Sequence, residues 1–244
     1  MNQLKIVVLS LTMAIAYQGQ AQVFKDALNK GKAAIGGDKT SGLTNGEVVE
    51  GLKEALTIGA QTASKSAAQV DGFYKNPAVF IPWPAEAKGM RDKLVQFGME
   101  KKVLEFEESM NRAAEEASKQ AVDILIGAVK GMSVSDGFAI LRGSDTAATH
   151  YLRQTTFDPL KVKFEPIIQV AIEKVKVTSY WNSLVTTYNR IPGVQKQNPD
   201  IVDYVNTKAV NGLMILISQQ EAKIRQDPGA QVTDLLKKVF GGGR

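Results

Sequence analysis

The stretch TNGEVVEGLKEALTIGAQTASKSAAQV, residues 44–70, sets the fold class of this chain. Thr44 followed three positions later by Glu47 is the pattern of a capping box, in which each side chain caps the backbone of the other residue at a helix start. Small and aliphatic residues then recur every three or four positions, which is the period of one helix face. They are Val48, Leu52, Leu56, Ala60, Ala63, Ala67 and Val70. The stretch therefore predicts an amphipathic helix.

The same period recurs along most of the chain, whereas the alternation of apolar and polar residues that marks a strand is scarce. We predict one all-α domain over residues 44–241, built as a multi-helix bundle. Caps, prolines and glycines give the expected helix ends. After the first helix we expect helices at 85–97, 101–130, 133–143, 146–154, 158–177, 180–190, 198–225 and 233–240. The start signals are a capping box of Ser133 with Asp136, a cap by Ser144 or Asp145, the pairs Asp158-Pro159 and Asn198-Pro199, and a cap by Thr233.

Residues 71–84 interrupt this pattern with prolines and aromatic side chains. The prolines cannot occupy a helix interior, and so many exposed aromatic rings would form an adhesive patch. The residues concerned are Phe73, Tyr74, Pro77, Phe80, Pro82, Trp83 and Pro84. We expect an irregular segment that lies across the helical core. On the later helix at 180–190 the apolar side includes Trp181, which we expect to be buried.

The N-terminus has the three parts of a secretory signal peptide. A basic start ends at Lys5, an apolar run covers residues 6–16, and Gly19-Gln20-Ala21 supplies the small residues of a cleavage site. We expect cleavage after Ala21, a short helix and flexible linker at 22–43, and a location in the periplasm or otherwise outside the cytoplasm. The apolar run is shorter than the roughly 20 residues of a membrane-spanning helix, and no later run is longer than residues 213–217.

Composition excludes several kinds of chemistry. The chain has no cysteine and a single histidine, so disulfides, thiol catalysis and multi-histidine metal sites are ruled out. The net charge of +5 is mild, and no basic stripe interleaved with aromatic residues marks a nucleic-acid partner. Acidic and basic residues that alternate, as in Glu221-Ala222-Lys223, are typical of a solvated surface. We expect no metal and no cofactor.

One polar cluster is the candidate ligand-binding site. It consists of Arg142, Asp145, Thr146, Thr149 and Arg153, whose spacing places them close to one helix face. Gly143 and Ser144 lead into that helix, and the free N–H groups of a helix start suit an anion. Two interpretations stay open. Either the arginines bind an anionic group, or Asp145 caps the helix and the arginines make ordinary ion pairs.

The alternative function is hydrolysis, with no catalytic residue assigned. Glu108, Glu115 and Glu116 near Arg112 can be interpreted as paired carboxylates or as an ordinary charged helix face. His150 lies beside the candidate cluster and is a candidate general base, although no orienting partner is evident. The nucleophile motif Gly-x-Ser-x-Gly does not occur.

Four further stretches carry a family resemblance. They are MNRAAEEA at 110–117, GMSVSD with LRGSDTAAT at 131–136 and 141–149, YV with KAVNGL at 204–205 and 208–213, and IRQDP with LLKKVFG at 224–228 and 235–241. In this order they resemble the exported bacterial family of unknown function DUF4197, over roughly residues 42–241. The resemblance implies a single exported domain and no established reaction. The chain departs from the family pattern at Gln231, at Val210-Asn211 and at Ser218-Gln219-Gln220, which stands in for a more acidic stretch.

These observations favour a non-enzymatic protein of the cell envelope. We expect it to bind an apolar ligand or an envelope partner, with an envelope hydrolase as the alternative function. An apolar cavity would support a carrier, and a cleft with converging carboxylates would support a hydrolase.

Overall fold

The computed structural model describes residues 42–135, 137–197 and 200–241. From Thr44 onward the chain forms one compact unit. The signal peptide, the short helix at 23–34, residues 36–41 of the linker, Asp136 and Asn198-Pro199 all lie outside the described residues. In the described ranges the secondary structure is helical, as predicted, without a strand.

The described ranges contain nine α-helices and two short 3-10 helices. The α-helices are α1 (Asn45–Ala67), α2 (Lys88–Gln96), α3 (Glu100–Ser118), α4 (Ala121–Gly131), α5 (Gly137–Leu141), α6 (Ala147–Lys174), α7 (Val177–Asn189), α8 (Ile201–Gln226) and α9 (Asp234–Phe240). The 3-10 helices are Ala85–Ala87 and Pro228–Ala230. None of the described helices is both long and apolar enough to cross a membrane.

The predicted caps of the first and last helices are present. The Thr44 hydroxyl accepts a hydrogen bond from the Glu47 N–H, and the Glu47 carboxylate accepts one from the Thr44 N–H, so the capping box is complete. Thr233 caps α9 through the N–H of Leu236. α8 begins after Asp200, whose carboxylate caps it. α8 is the central helix, since α1 and α6 both pack along it.

The predicted helix at 101–130 is wrong in its length, because the chain turns at Lys119 and Gln120 between α3 and α4. The Ser118 hydroxyl donates to the carbonyl of Ala114 at 2.7 Å, and Gln120 has left the helical region with φ −106° and ψ 5°. The turn lets α3 pack on α6 and α7 while α4 packs on α1. The helix therefore ends here because of tertiary packing, although the spacing of apolar residues in the sequence continues through the turn.

The two predicted helices at 146–154 and 158–177 are one continuous helix, α6, so the prediction of a new start at Asp158-Pro159 is wrong. Pro159 and Pro166 lie inside α6, and both are exposed. A proline removes one helical hydrogen bond. Leu152 and Leu160, on either side of Pro159, are both buried, and this packing offsets the lost bond.

The proline-rich segment at 71–84 is irregular and lies against the core, as predicted. Two side chains of α3 hold its main chain. The Glu115 carboxylate accepts from the N–H groups of Phe73 and Tyr74 at 3.1 Å each. The Asn111 amide accepts from the Ile81 N–H at 2.8 Å and donates to the Ile81 carbonyl at 3.0 Å.

An aromatic cluster joins this segment to α3 and α7. The ring of Trp181 stacks on Phe106 with centroids 5.0 Å apart and meets Trp83 edge-on at 5.8 Å. Trp181 is 2% exposed, which confirms its predicted burial.

Candidate functional site

The start of α6 is capped from another helix. Its N-cap residue, Thr146, makes no capping hydrogen bond with its own side chain. Instead the carboxylate of Glu221 on α8 accepts from the Ala148 N–H at 3.0 Å, and from the N–H and hydroxyl of Thr149 at 2.7 Å each. The prediction that Ser144 or Asp145 caps this helix is therefore wrong. Two N–H groups that were expected to attract an anion are already bonded to a carboxylate.

Glu221 belongs to a buried ion pair rather than to a solvated surface, so the surface interpretation of Glu221-Ala222-Lys223 is wrong for its first residue. The Glu221 side chain is 0% exposed, and that of Arg225, whose guanidinium lies 2.8 Å away, is 4% exposed. Arg225 also donates to the carbonyls of Leu141 at 2.8 Å and Ile140 at 3.3 Å. The pair therefore ties α5, α6 and α8 together.

The structure divides the predicted cluster in two. Thr146, Thr149 and Arg153 line one surface pocket. Arg142 and Asp145 are not among its lining residues. The Arg142 guanidinium lies 5.5 Å from the ring centroid of Phe138, and the Asp145 carboxylate accepts a hydrogen bond from Gln226.

The pocket lies between the first two turns of α6 and the middle of α8, and its volume is about 140 Å³. One wall comes from α6, where residues at i, i+3, i+4 and i+7 share a face. The other wall comes from α8 and was not anticipated. The lining residues are Thr146, Thr149, His150, Arg153, Met214, Ile215 and Ser218.

The two walls differ in chemistry. The α6 wall carries the guanidinium of Arg153, the imidazole of His150 and two threonines. The Arg153 guanidinium lies 4.9 Å from the ring centroid of Phe157 and has no acidic partner within the described ranges. The α8 wall carries Met214, which is 2% exposed, and Ile215, which is 39% exposed. The pocket thus joins a cationic edge to an apolar surface.

Two of the three hydroxyl groups at the pocket are already donating. The Thr149 hydroxyl donates to Glu221, and the Ser218 hydroxyl donates to the Ile215 carbonyl at 2.8 Å. In the part of the chain that the structure describes, neither bonds to the imidazole of His150. The hydroxyl groups of Thr149 and Ser218 are therefore held by a carboxylate and a carbonyl, and not by the imidazole.

The carboxylates of the hydrolase alternative are occupied by cations and amides. Glu108 and Glu115 both bind Arg112, at 3.0 and 2.8 Å. Arg112 also binds Asp71, whose pKa is lowered by hydrogen bonds from Lys75 and then from Arg112.

The third carboxylate, Glu116, binds Lys119 and Lys174, and these two ammonium groups lower its pKa. These glutamates therefore hold structural elements together. No cluster of acidic and histidine side chains suited to a metal ion occurs within the described ranges.

Fold and site together define a class: a single all-helical domain with a small amphipathic surface pocket and a buried ion pair behind it. A match to the family described as "Protein of unknown function (DUF4197)" covers residues 42–241. The chain belongs to this family, in agreement with the resemblance of its sequence motifs. No curated protein and no solved structure matches the chain.

Proposed function

We propose that this protein is a non-enzymatic binding protein of the cell envelope whose ligand is a small amphipathic anion. The ligand's anionic group meets Arg153 and His150, and its apolar part lies on Met214 and Ile215. The single observation that carries the proposal is the pocket of about 140 Å³ that joins these two surfaces.

Arg153 is the main recognition group for the anion. A guanidinium presents several N–H donors in one plane and binds carboxylate or phosphate oxygens through two parallel hydrogen bonds. Because Arg153 has no acidic partner within the described ranges, binding a ligand breaks no ion pair there. The ring of Phe157 supports the guanidinium from one side at 4.9 Å.

The apolar wall sets the size of the ligand. A cavity of about 150 Å³ accommodates a ring the size of benzene, so this pocket fits a group of about six carbon atoms. Met214 is suited to such a wall because its unbranched thioether adapts to the shape of the ligand.

The buried carboxylate of Glu221, behind the pocket, does not repel an anionic ligand. Glu221 accepts two backbone hydrogen bonds and one hydroxyl hydrogen bond, and the Arg225 guanidinium lies 2.8 Å from it. Its charge is therefore balanced within the protein. The ligand meets the unbalanced positive charge of Arg153.

The envelope location rests on the signal-peptide pattern of residues 1–21. The absence of cysteine fits an oxidising compartment, since no thiol is exposed to oxidation there.

Binding is tested by titrating the purified protein with benzoate and, separately, with benzyl alcohol, its neutral analogue of similar size. We expect benzoate to bind with a dissociation constant of about 1 mM or tighter, and benzyl alcohol at least tenfold more weakly. NMR shift changes should concentrate on the residues that line the pocket. Equal affinity for the two probes, or no benzoate binding, would contradict the proposal.

Two arginine variants locate the site. Arg153→Gln should weaken benzoate binding at least tenfold, because it removes a charge-assisted hydrogen-bond donor. Arg142→Gln is the matched control, since Arg142 is close in sequence but is not among the lining residues, and it should leave binding unchanged. An equal loss in both variants would place the site outside this pocket.

A further inference from the structure

His150 is the single histidine of the chain, and its side chain lines the pocket between α6 and α8. The residue is exposed, so both water and a ligand can reach the imidazole. Histidine is the residue type whose charge ordinarily changes between pH 5 and 8. The α6 wall of the pocket therefore contains one group that can gain or lose a positive charge in this range.

Arg153 lies three positions further along the same helix and lines the same pocket. Side chains at i and i+3 of a helix have Cβ atoms about 5–6 Å apart, so the imidazole and the guanidinium can both reach one anionic group. The guanidinium is charged throughout this pH range. A proton on His150 adds a second positive charge, and two neighbouring like charges repel each other. An anion offsets that repulsion, so the anion and the proton favour each other's binding.

The opposite wall of the pocket carries no titratable side chain. Its residues are Met214, Ile215 and Ser218. The acid that α8 places behind the pocket is Glu221, which is bound to Arg225 and to the first N–H groups of α6. Asp145, in the segment before α6, accepts from Gln226, and neither Asp145 nor Arg142 lines the pocket.

The charged groups on the other elements that pack on α6 lie outside the pocket. α5 and α7 contain no charged residue. On α3, Glu116 binds Lys174, the last residue of α6. On α4, Asp123 and Lys130 are exposed, and on α1 the Lys53 ammonium donates to the Lys130 carbonyl. Among the described residues, the charged or titratable side chains that line the pocket are thus His150 and Arg153.

We propose that His150 makes the affinity of this pocket for its anionic ligand depend on pH. At about pH 5.5 the imidazolium and the guanidinium bind the anion together, and at about pH 8 Arg153 binds it alone. This inference rests on the proposed function, since it concerns the same pocket and the same class of ligand. The protein takes up its ligand in acid surroundings and releases it as the pH rises.

Benzoate titrations at the two pH values measure the effect. The added ion pair is exposed, and exposed pairs change an equilibrium constant by up to about fivefold. We therefore expect benzoate to bind about threefold more tightly at pH 5.5 than at pH 8. Benzoate stays an anion throughout, because carboxyl groups titrate near pH 4. Benzyl alcohol, which carries no charge, should show no such pH dependence.

The reciprocal effect is measured on His150 itself. Because the chain has one histidine, a protein prepared without a histidine tag gives one set of imidazole NMR signals, whose positions follow the protonation of the ring. Saturating benzoate should raise the midpoint of that titration by about 0.5 pH units, which is the same threefold coupling measured from the side of the proton. An unchanged midpoint would show that the anion does not meet His150.

Two variants assign the effect to this residue. His150→Gln should bind benzoate equally at pH 5.5 and pH 8, which separates His150 from other groups that titrate in acid, such as Glu107, whose pKa is raised by burial. His150→Arg keeps a positive charge at both pH values, so it should also lose the pH dependence. Its affinity at pH 8 should exceed that of the natural protein by about threefold.

The outcomes separate this inference from the proposed function. Equal benzoate affinities of the natural protein at the two pH values, or a threefold ratio that persists in His150→Gln, would overturn the inference and leave the proposed function in place. Absence of benzoate binding at both pH values would overturn the two together.

Discussion

Replacing Glu221 by glutamine removes the negative charge of a carboxylate that caps α6 and pairs with Arg225. The two N–H groups of Ala148 and Thr149 bond to different oxygens of the carboxylate, so the single oxygen of a glutamine can still accept from one of them. The Arg225 guanidinium, 4% exposed, keeps its charge but loses its counter-ion. Leaving one partner of a buried pair uncompensated costs about 3–5 kcal/mol, and the retained acceptor puts Glu221→Gln near the lower end.

The loss of unfolding free energy is measured by urea denaturation, and the melting temperature by heating, both monitored by circular dichroism. A destabilisation of about 3 kcal/mol should lower the melting temperature by roughly 6–12 °C in a domain of this size. Glu116→Gln is the matched control. Its carboxylate is 26% exposed and binds two surface lysines, so its loss should cost less than about 1 kcal/mol.

A double-mutant cycle separates the pair from the cap. Glu221→Gln combined with Arg225→Met removes both charges and keeps one of the two capping oxygens. The double variant should lose at least about 1 kcal/mol less than the sum of the single variants. Additive losses, or a loss below about 1 kcal/mol for Glu221→Gln alone, would refute the reasoning that this ion pair holds the start of α6.

Three further predictions concern the packing of the core, the loss of stability at alkaline pH and the cleavage of the signal peptide. Trp181→Ala should lower the free energy of unfolding, measured in urea, by about 3–5 kcal/mol, because it removes a 2% exposed ring from the cluster with Trp83 and Phe106. Phe97→Ala is the control, since its ring is 64% exposed and its loss should be nearly neutral. Burial raises the pKa of Tyr204 from its ordinary value of 10.0 to about 12, so its contribution to stability is full below pH 10 and is lost as the pH rises to 12. An absorbance titration should show one tyrosine ionising near pH 12 that disappears in Tyr204→Phe, and an unchanged curve would contradict this. N-terminal sequencing of the exported protein should begin at Gln22, and a retained Met1 would contradict the signal-peptide prediction.

Local signals in the sequence predicted the helices and several of their ends. The Thr44–Glu47 capping box and the Thr233 cap act within one turn, so the sequence alone is sufficient to identify them. The turn at Lys119 and Gln120 and the continuity through Pro159 depend on which helices pack together. Those contacts are long-range, and the helical period contains no information about them.

The candidate site, like the fold, was predictable only where its residues belong to one helix. The spacing of Thr146, Thr149 and Arg153 correctly placed them on one face, since all three belong to a single helix. The second wall comes from α8, far away in sequence, and could not be inferred. Glu221 offered a signal that went unused: it follows Ile217 by four positions and precedes Ile224 by three, so it belongs to a buried apolar row.

The way α3 holds the segment at 71–84 makes that segment a practical position for a label. Glu115 and Asn111 bind main-chain groups of Phe73, Tyr74 and Ile81, so they select a backbone path and not particular side chains. Pro77 and Ala78, between these anchors, are exposed. A fluorophore or short epitope introduced at Ala78 would report on the protein without touching its core or its pocket.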